Sequence, residues 1–160
     1  MKMNKEKVIR RCLCTPTELR VREAREGEPP SRTITGYAIL FNTPSVPLWS
    51  DDESEAREEI APEAITKAVL DAQDVKMTMF HDRKLILARS NKGTGTLSYS
   101  VDEKGVAFEF EAPHTADGDK ALELVRRGDI CGCSFAFSTR YYDQDFVERK
   151  SEVLPNGCNK

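Results

Sequence analysis

Leu97-Ser98-Tyr99-Ser100-Val101-Asp102-Glu103-Lys104-Gly105-Val106-Ala107-Phe108-Glu109-Phe110-Glu111 is the stretch that sets the fold class. Leu97, Tyr99 and Val101 alternate with serines. After the polar turn Asp102-Glu103-Lys104-Gly105, Val106, Phe108 and Phe110 alternate with Ala107, Glu109 and Glu111. Successive strand residues point to opposite faces, so an apolar period of two describes a strand with one buried side. Two such strands joined by a short glycine-containing turn predict an antiparallel β-hairpin.

Toward the N-terminus, Val75 to Phe80 reads as a further strand and Leu85-Ile86-Leu87 as a short one. Before them, Pro62 suits the first turn of a helix, with Ile65, Ala68, Val69 and Ala72 at i, i+3, i+4 and i+7 as its apolar stripe. Asn42 to Glu59 is a long loop, proline-rich early and acidic late, and its acidic run from Asp51 reads as a solvated segment. Thr33 to Phe41 is rich in β-forming residues, with Gly36 marking a bulge or a close backbone approach. Gly27 to Ser31 is a turn, and Leu19 and Val21 alternate with arginines as in an edge strand. These boundaries predict a flexible basic arm over 1–18, a folded domain over 19–140 and a C-terminal segment over 141–160.

Toward the C-terminus, Thr115 or Asp117 caps a second helix, Ala121, Leu122, Leu124 and Val125 form its apolar side, and Gly128 stops it after Arg127. A strand is expected to follow at once, through Asp129-Ile130-Cys131-Gly132-Cys133-Ser134-Phe135-Ala136-Phe137. About six to eight strands and two helices, with neither repeats nor βαβ alternation, predict an α+β fold. Its expected form is a mostly antiparallel sheet or barrel with a few packed helices.

Composition narrows the functions. A chain of 160 residues buries a core without crosslinks. A net charge of −3 argues against nucleic acid as a partner, because phosphate binding wants a basic excess. No apolar run approaches the ~20 residues that span a bilayer, so no membrane association is expected. The basic N-terminus has no apolar stretch behind it, which argues against a secretory signal. Five cysteines, an odd count, read as reduced thiols. The pairs Cys12/Cys14 and Cys131/Cys133 have Cys-x-Cys spacing, a poor zinc signature, so neither metal nor cofactor is expected.

The chemistry turns on Ser134 and on the two histidines, His81 and His114. A serine hydroxyl is a weak nucleophile unless a base within hydrogen-bond reach takes its proton. His81 ends the Val75–Phe80 strand, a place from which a side chain enters a cleft. His114 sits just before the second helix and reads as a solvated cap-region residue. The segment Gly132-Cys133-Ser134-Phe135-Ala136 lacks the second glycine of a nucleophile elbow. Cys133 points to the opposite strand face from Ser134 and reads as a small buried hydrophobe. Arg89 has two readings, an oxyanion or substrate contact and a surface ion pair.

Several blocks in order resemble the prohead serine proteases of tailed phages. They are Thr33 to Ser45, Glu59 to Ile65, Phe80-His81-Asp82 with Leu87-Ala88-Arg89-Ser90 after it, Gly95 to Phe110, and Leu124 to Phe137. The resemblance runs from about Leu19 to Arg140. It implies a serine endopeptidase related in fold to the herpesvirus assembly proteases, a β-barrel surrounded by helices. It also implies action in the host cytoplasm inside the assembling prohead, on scaffold or the scaffolding segment of the major capsid protein, and on itself. A homo-oligomer is implied as well. By position, the resemblance makes Ser134 the nucleophile and His81 the general base. Phe80 stands where the family often has asparagine, Cys131 where serine is common and Cys133 where methionine is common.

The family usually continues into a further strand; either Phe146 to Leu154 is its shortened equivalent or the chain is cut before it. For the third catalytic member, Glu148 in that segment is the first choice, with Glu152 or Asp82 behind it. The alternative function is a catalytically silent capsid-assembly or scaffold-binding module of the same fold.

Overall fold

The computed structural model of the chain describes residues 8–14, 19–47, 49–50 and 55–140. In chain order, strands β1 (Val8–Cys14), β2 (Leu19–Val21), β3 (Thr33–Leu40), β4 (Trp49–Ser50) and β5 (Glu55–Ala56) come first. A 3-10 turn (Pro62–Ala64) and helix α1 (Lys67–Asp71) follow. Then come strands β6 (Asp74–Thr78), β7 (Ile86–Asn91), β8 (Thr94–Gly95), β9 (Leu97–Val101) and β10 (Gly105–Glu111). Helix α2 (Ala116–Arg126) and strand β11 (Ser134–Arg140) complete the described chain.

The alternation in 97–111 folds as the hairpin β9–β10. Val106 faces Val101, Phe108 faces Tyr99 and Phe110 faces Leu97. Val106, Phe108 and Phe110 are buried, while Glu109 and Glu111 are exposed. Asp102 closes the turn, its Oδ1 accepting the Lys104 N–H at 2.8 Å and the Gly105 N–H at 2.9 Å. A Cβ on Gly105 would lie 2.0 Å from the Ile39 carbonyl oxygen, so only glycine lets β3 and β10 approach here. The hairpin belongs to an antiparallel sheet of order β2-β3-β10-β9. Its bulge lies at Ala38, skipped between the Ile39–Val106 and Tyr37–Ala107 pairs, and Gly36 pairs in register with Leu19 and Phe108.

A second sheet runs β6-β7-β8, and the pairs β1–β11 and β4–β5 stand apart from both. The expected barrel is therefore corrected: among the described residues the strands form open sheets and no closed barrel. Closure requires the two edge strands of a sheet to pair with each other. Here β2 and β9 are the edges and do not pair.

Other expectations shift as well. The N-terminal stretch read as part of a loose arm contains β1, which pairs antiparallel with β11 from Val8↔Arg140 to Cys14↔Ser134. The first helix divides in two. Ile65 is extended (φ −131°), and Thr66 starts a new helix by accepting the Val69 N–H at 3.3 Å. Val69 is 44% exposed and Ala68 and Ala72 are exposed too, so of the supposed apolar stripe only Ile65 packs against the core. Leu70 and polar contacts tether α1: Leu70 packs against the core, Lys67 binds Asp71, whose Oδ1 accepts from the Tyr99 hydroxyl at 3.1 Å, and the buried Ser90 reaches that hydroxyl at 3.3 Å.

Helix α2 forms as its sequence predicts. Thr115 accepts the Gly118 N–H at 3.2 Å, and Gly128 ends the helix with φ +76°. Its buried Ala121, Leu122 and Val125 join Ile34, Phe108 and Phe110 in the larger core cluster. A smaller cluster of Ile39, Phe41 and Val106 is flanked by Ile60, Ile65, Leu70 and Phe135. The base of the long loop is closed at the buried Ser45, which exchanges hydrogen bonds with the Glu58 backbone.

Candidate active site

After β6 the chain buries Met79 and then turns sharply. Phe80 and His81 both have positive φ, +54° and +56°, and the Asp82 N–H donates to the Met79 carbonyl at 2.9 Å. Two central residues with positive φ are the mark of a type I′ turn, which normally uses asparagine and glycine. Each such residue costs a chain of L-amino acids roughly 1–2 kcal/mol. Surrounding bonds hold the turn: Met79 N–H to Leu85 carbonyl at 3.0 Å, Leu85 N–H to Asp82 carbonyl at 3.0 Å, and Lys84 N–H to Asp82 Oδ1 at 2.8 Å. His81 thus lies on an exposed turn three residues beyond the strand.

Ser134 is the first residue of β11, so residues 129–133 intervene between the helix stop and the strand that was expected to follow at once. The Ile130 N–H bonds back to the Leu124 carbonyl at 3.1 Å, folding this link onto the end of α2. Ile130 and Cys133 pack against the larger core cluster, and Phe135 against the smaller one. With Phe135 turned inward, Ser134 as its strand neighbour faces the other way.

There it meets the histidine. His81 Nε2 and Ser134 Oγ are 2.5 Å apart, although 53 positions separate the residues in sequence. With the ring neutral and its proton on Nδ1, the serine hydroxyl donates to Nε2. An imidazole so placed can take the proton as the oxygen attacks an electrophile. The ring is exposed and the serine half-buried, which leaves room for a substrate from solvent.

Arg89 is engaged elsewhere. Its guanidinium donates to Asp74 through Nε at 2.7 Å and Nη2 at 3.0 Å, and Lys76 Nζ joins the same carboxylate at 2.9 Å. Arg89 first and Lys76 second hold the Asp74 carboxyl down to about 2. The Asp82 carboxylate serves its own turn, as above. His114 is exposed, 3.8 Å from Glu111. Cys131 is exposed and Cys133 half-buried. Glu148 and Glu152 lie outside the described residues. Among the described residues, no group of three or more side chains is placed to hold a metal ion, and no helix is long and apolar enough to cross a membrane.

The bracing by Asp82 escaped the sequence reading. Its signal is an aspartate two residues before the amide it caps, an Asx-turn pattern.

A serine hydroxyl beside an imidazole, each from a different part of the chain, is one part of the arrangement a serine hydrolase needs. Residues 17–155 match the caudovirus prohead serine protease family, and the chain belongs to it. No curated protein and no solved structure matches the chain.

Proposed function

We propose that this chain is a serine endopeptidase of phage prohead maturation. It cuts scaffold protein or the scaffolding segment of the major capsid protein, and itself, inside the assembling prohead in the host cytoplasm. The observation that supports this reading is the 2.5 Å approach of His81 Nε2 to Ser134 Oγ in a chain of this family.

Ser134 Oγ attacks the scissile carbonyl carbon as its proton passes to His81 Nε2, giving a tetrahedral oxyanion. The imidazolium then gives that proton to the leaving amine nitrogen, the C–N bond breaks, and an acyl ester stays on Ser134. Water, deprotonated by the same imidazole, hydrolyses the ester and restores the hydroxyl. Glu148 is the proposed acceptor of the Nδ1 proton's hydrogen bond. Arg89, whose guanidinium holds Asp74 through Nε and Nη2, is the proposed contact to an oxyanion or a substrate carbonyl. The active form is a homo-oligomer, as the family resemblance implies.

The test is co-expression with the capsid and scaffold proteins of the same phage. Wild type is expected to yield shortened products, and Ser134→Ala to leave every chain intact. If wild type and Ser134→Ala leave the same intact chains, the protease reading fails and a silent assembly module takes its place.

A further inference from the structure

Phe80 carries two penalties at once. Its ring is 63% exposed, and its backbone is held at φ +54°, a region that bulky L-residues avoid. Asparagine would relieve both. Phe80 belongs to neither core cluster. Its ring lies 5.9 Å from Lys120 Nζ on α2, the helix whose stop leads into Ser134. Ile86, which opens the strand returning from the same turn, is also exposed, at 45%. Two of the four exposed large hydrophobics among the described residues thus flank His81 on one connection.

We infer that Phe80 is a specificity residue of this site. Its ring forms an apolar wall beside the scissile bond and selects peptides with an aromatic or branched aliphatic side chain flanking that bond. The inference rests on the protease reading above. The imidazole that takes the Ser134 proton must also reach the leaving nitrogen, so a bound peptide passes beside the residue next to His81. A substrate side chain laid on the ring removes apolar surface of both from water. Because the braced turn already holds its backbone, only the side chain of Phe80 is left to be ordered when the peptide binds.

The experiment offers wild type, Phe80→Asn and Phe80→Tyr a degenerate peptide library, with products sequenced by mass spectrometry. Turnover is then measured on the best peptide and on its counterpart with alanine at the flanking position. Asparagine suits the left-handed turn, so Phe80→Asn should melt no lower than wild type. Its kcat/KM on the apolar peptide should fall about tenfold, mostly through KM, with the alanine peptide cut within about twofold of wild type. Phe80→Tyr should restore the preference. The inference is overturned if Phe80→Asn keeps the wild-type preference, or if it melts lower, which would make the ring a packing residue. If wild type cuts no peptide and a fluorophosphonate leaves Ser134 unlabelled, the protease reading falls and this inference falls with it.

Discussion

At His81 the backbone favours a different residue. Its φ of +56° suits glycine, so the imidazole is kept there against a local preference. Strain of this kind clusters at functional sites, where the surrounding structure holds it in place. Replacing His81 by glycine should separate the two roles. The melting temperature is expected to stay within about 2 °C of wild type, because relief of strain offsets glycine's greater freedom in the unfolded chain. Peptide cleavage should drop by roughly 10²–10⁴, the usual share of a general base. A variant that still cuts at the wild-type rate would remove His81 from the mechanism. At this scale the sequence was informative about identity and silent about conformation. His81 and Ser134 stood out by residue type and by their ordered family blocks. The turn did not, because Phe-His is no cue for a type I′ geometry that bonds from Leu85 and Asp82 enforce.

Among the elements, legibility followed the distance over which each is decided. The β9–β10 hairpin and α2 depend on alternation, a cap and a stop within a few residues, and both were readable. The division of the first helix turned on the Thr66 hydroxyl, which competes with the backbone for one N–H. Strand β1 shows no alternation, and its pairing with β11 is set far away in sequence. The ion pair of Arg89 was one of two readings, and it forms because the β6–β7 register puts Arg89 opposite Lys76, with Asp74 in reach of both. That carboxylate makes a pH prediction. Its folded pKa of about 2 lies below the ordinary carboxylate value of about 3.9. The folded state is therefore favoured above the ordinary value, and this contribution disappears as pH falls toward 2. The group is exposed, so the effect is small. Melting curves from pH 5 to pH 2 should fall more steeply for wild type than for Asp74→Asn. Parallel curves would mean that the ion cluster adds no stability.

On the scale of the whole molecule, Ser134 sits where the two core clusters meet. Cys133 packs on one and Phe135 on the other, so the serine between them is located by both. Truncating Phe135 should therefore harm activity beyond its cost in stability. Phe135→Ala is expected to lose about 2 kcal/mol, since the ring is only half-buried, and to lower the melting temperature by roughly 4–8 °C. Well below that temperature, cleavage should still fall more than tenfold. Activity in step with the folded fraction alone would mean that Phe135 does not position Ser134. The expectation of a barrel failed at this scale because closure depends on pairing between remote edges, which no local pattern encodes.

The pairing of β1 with β11 also has a consequence in time. On the ribosome His81 is made well before Ser134, and at roughly 5–20 residues per second the 53 positions between them take roughly 3–10 seconds to synthesise. The strand that presents the hydroxyl cannot find its partner until its own residues have cleared the exit tunnel. Built in this order, the approach of His81 to Ser134 cannot form until β11, the last of the described strands, has been made.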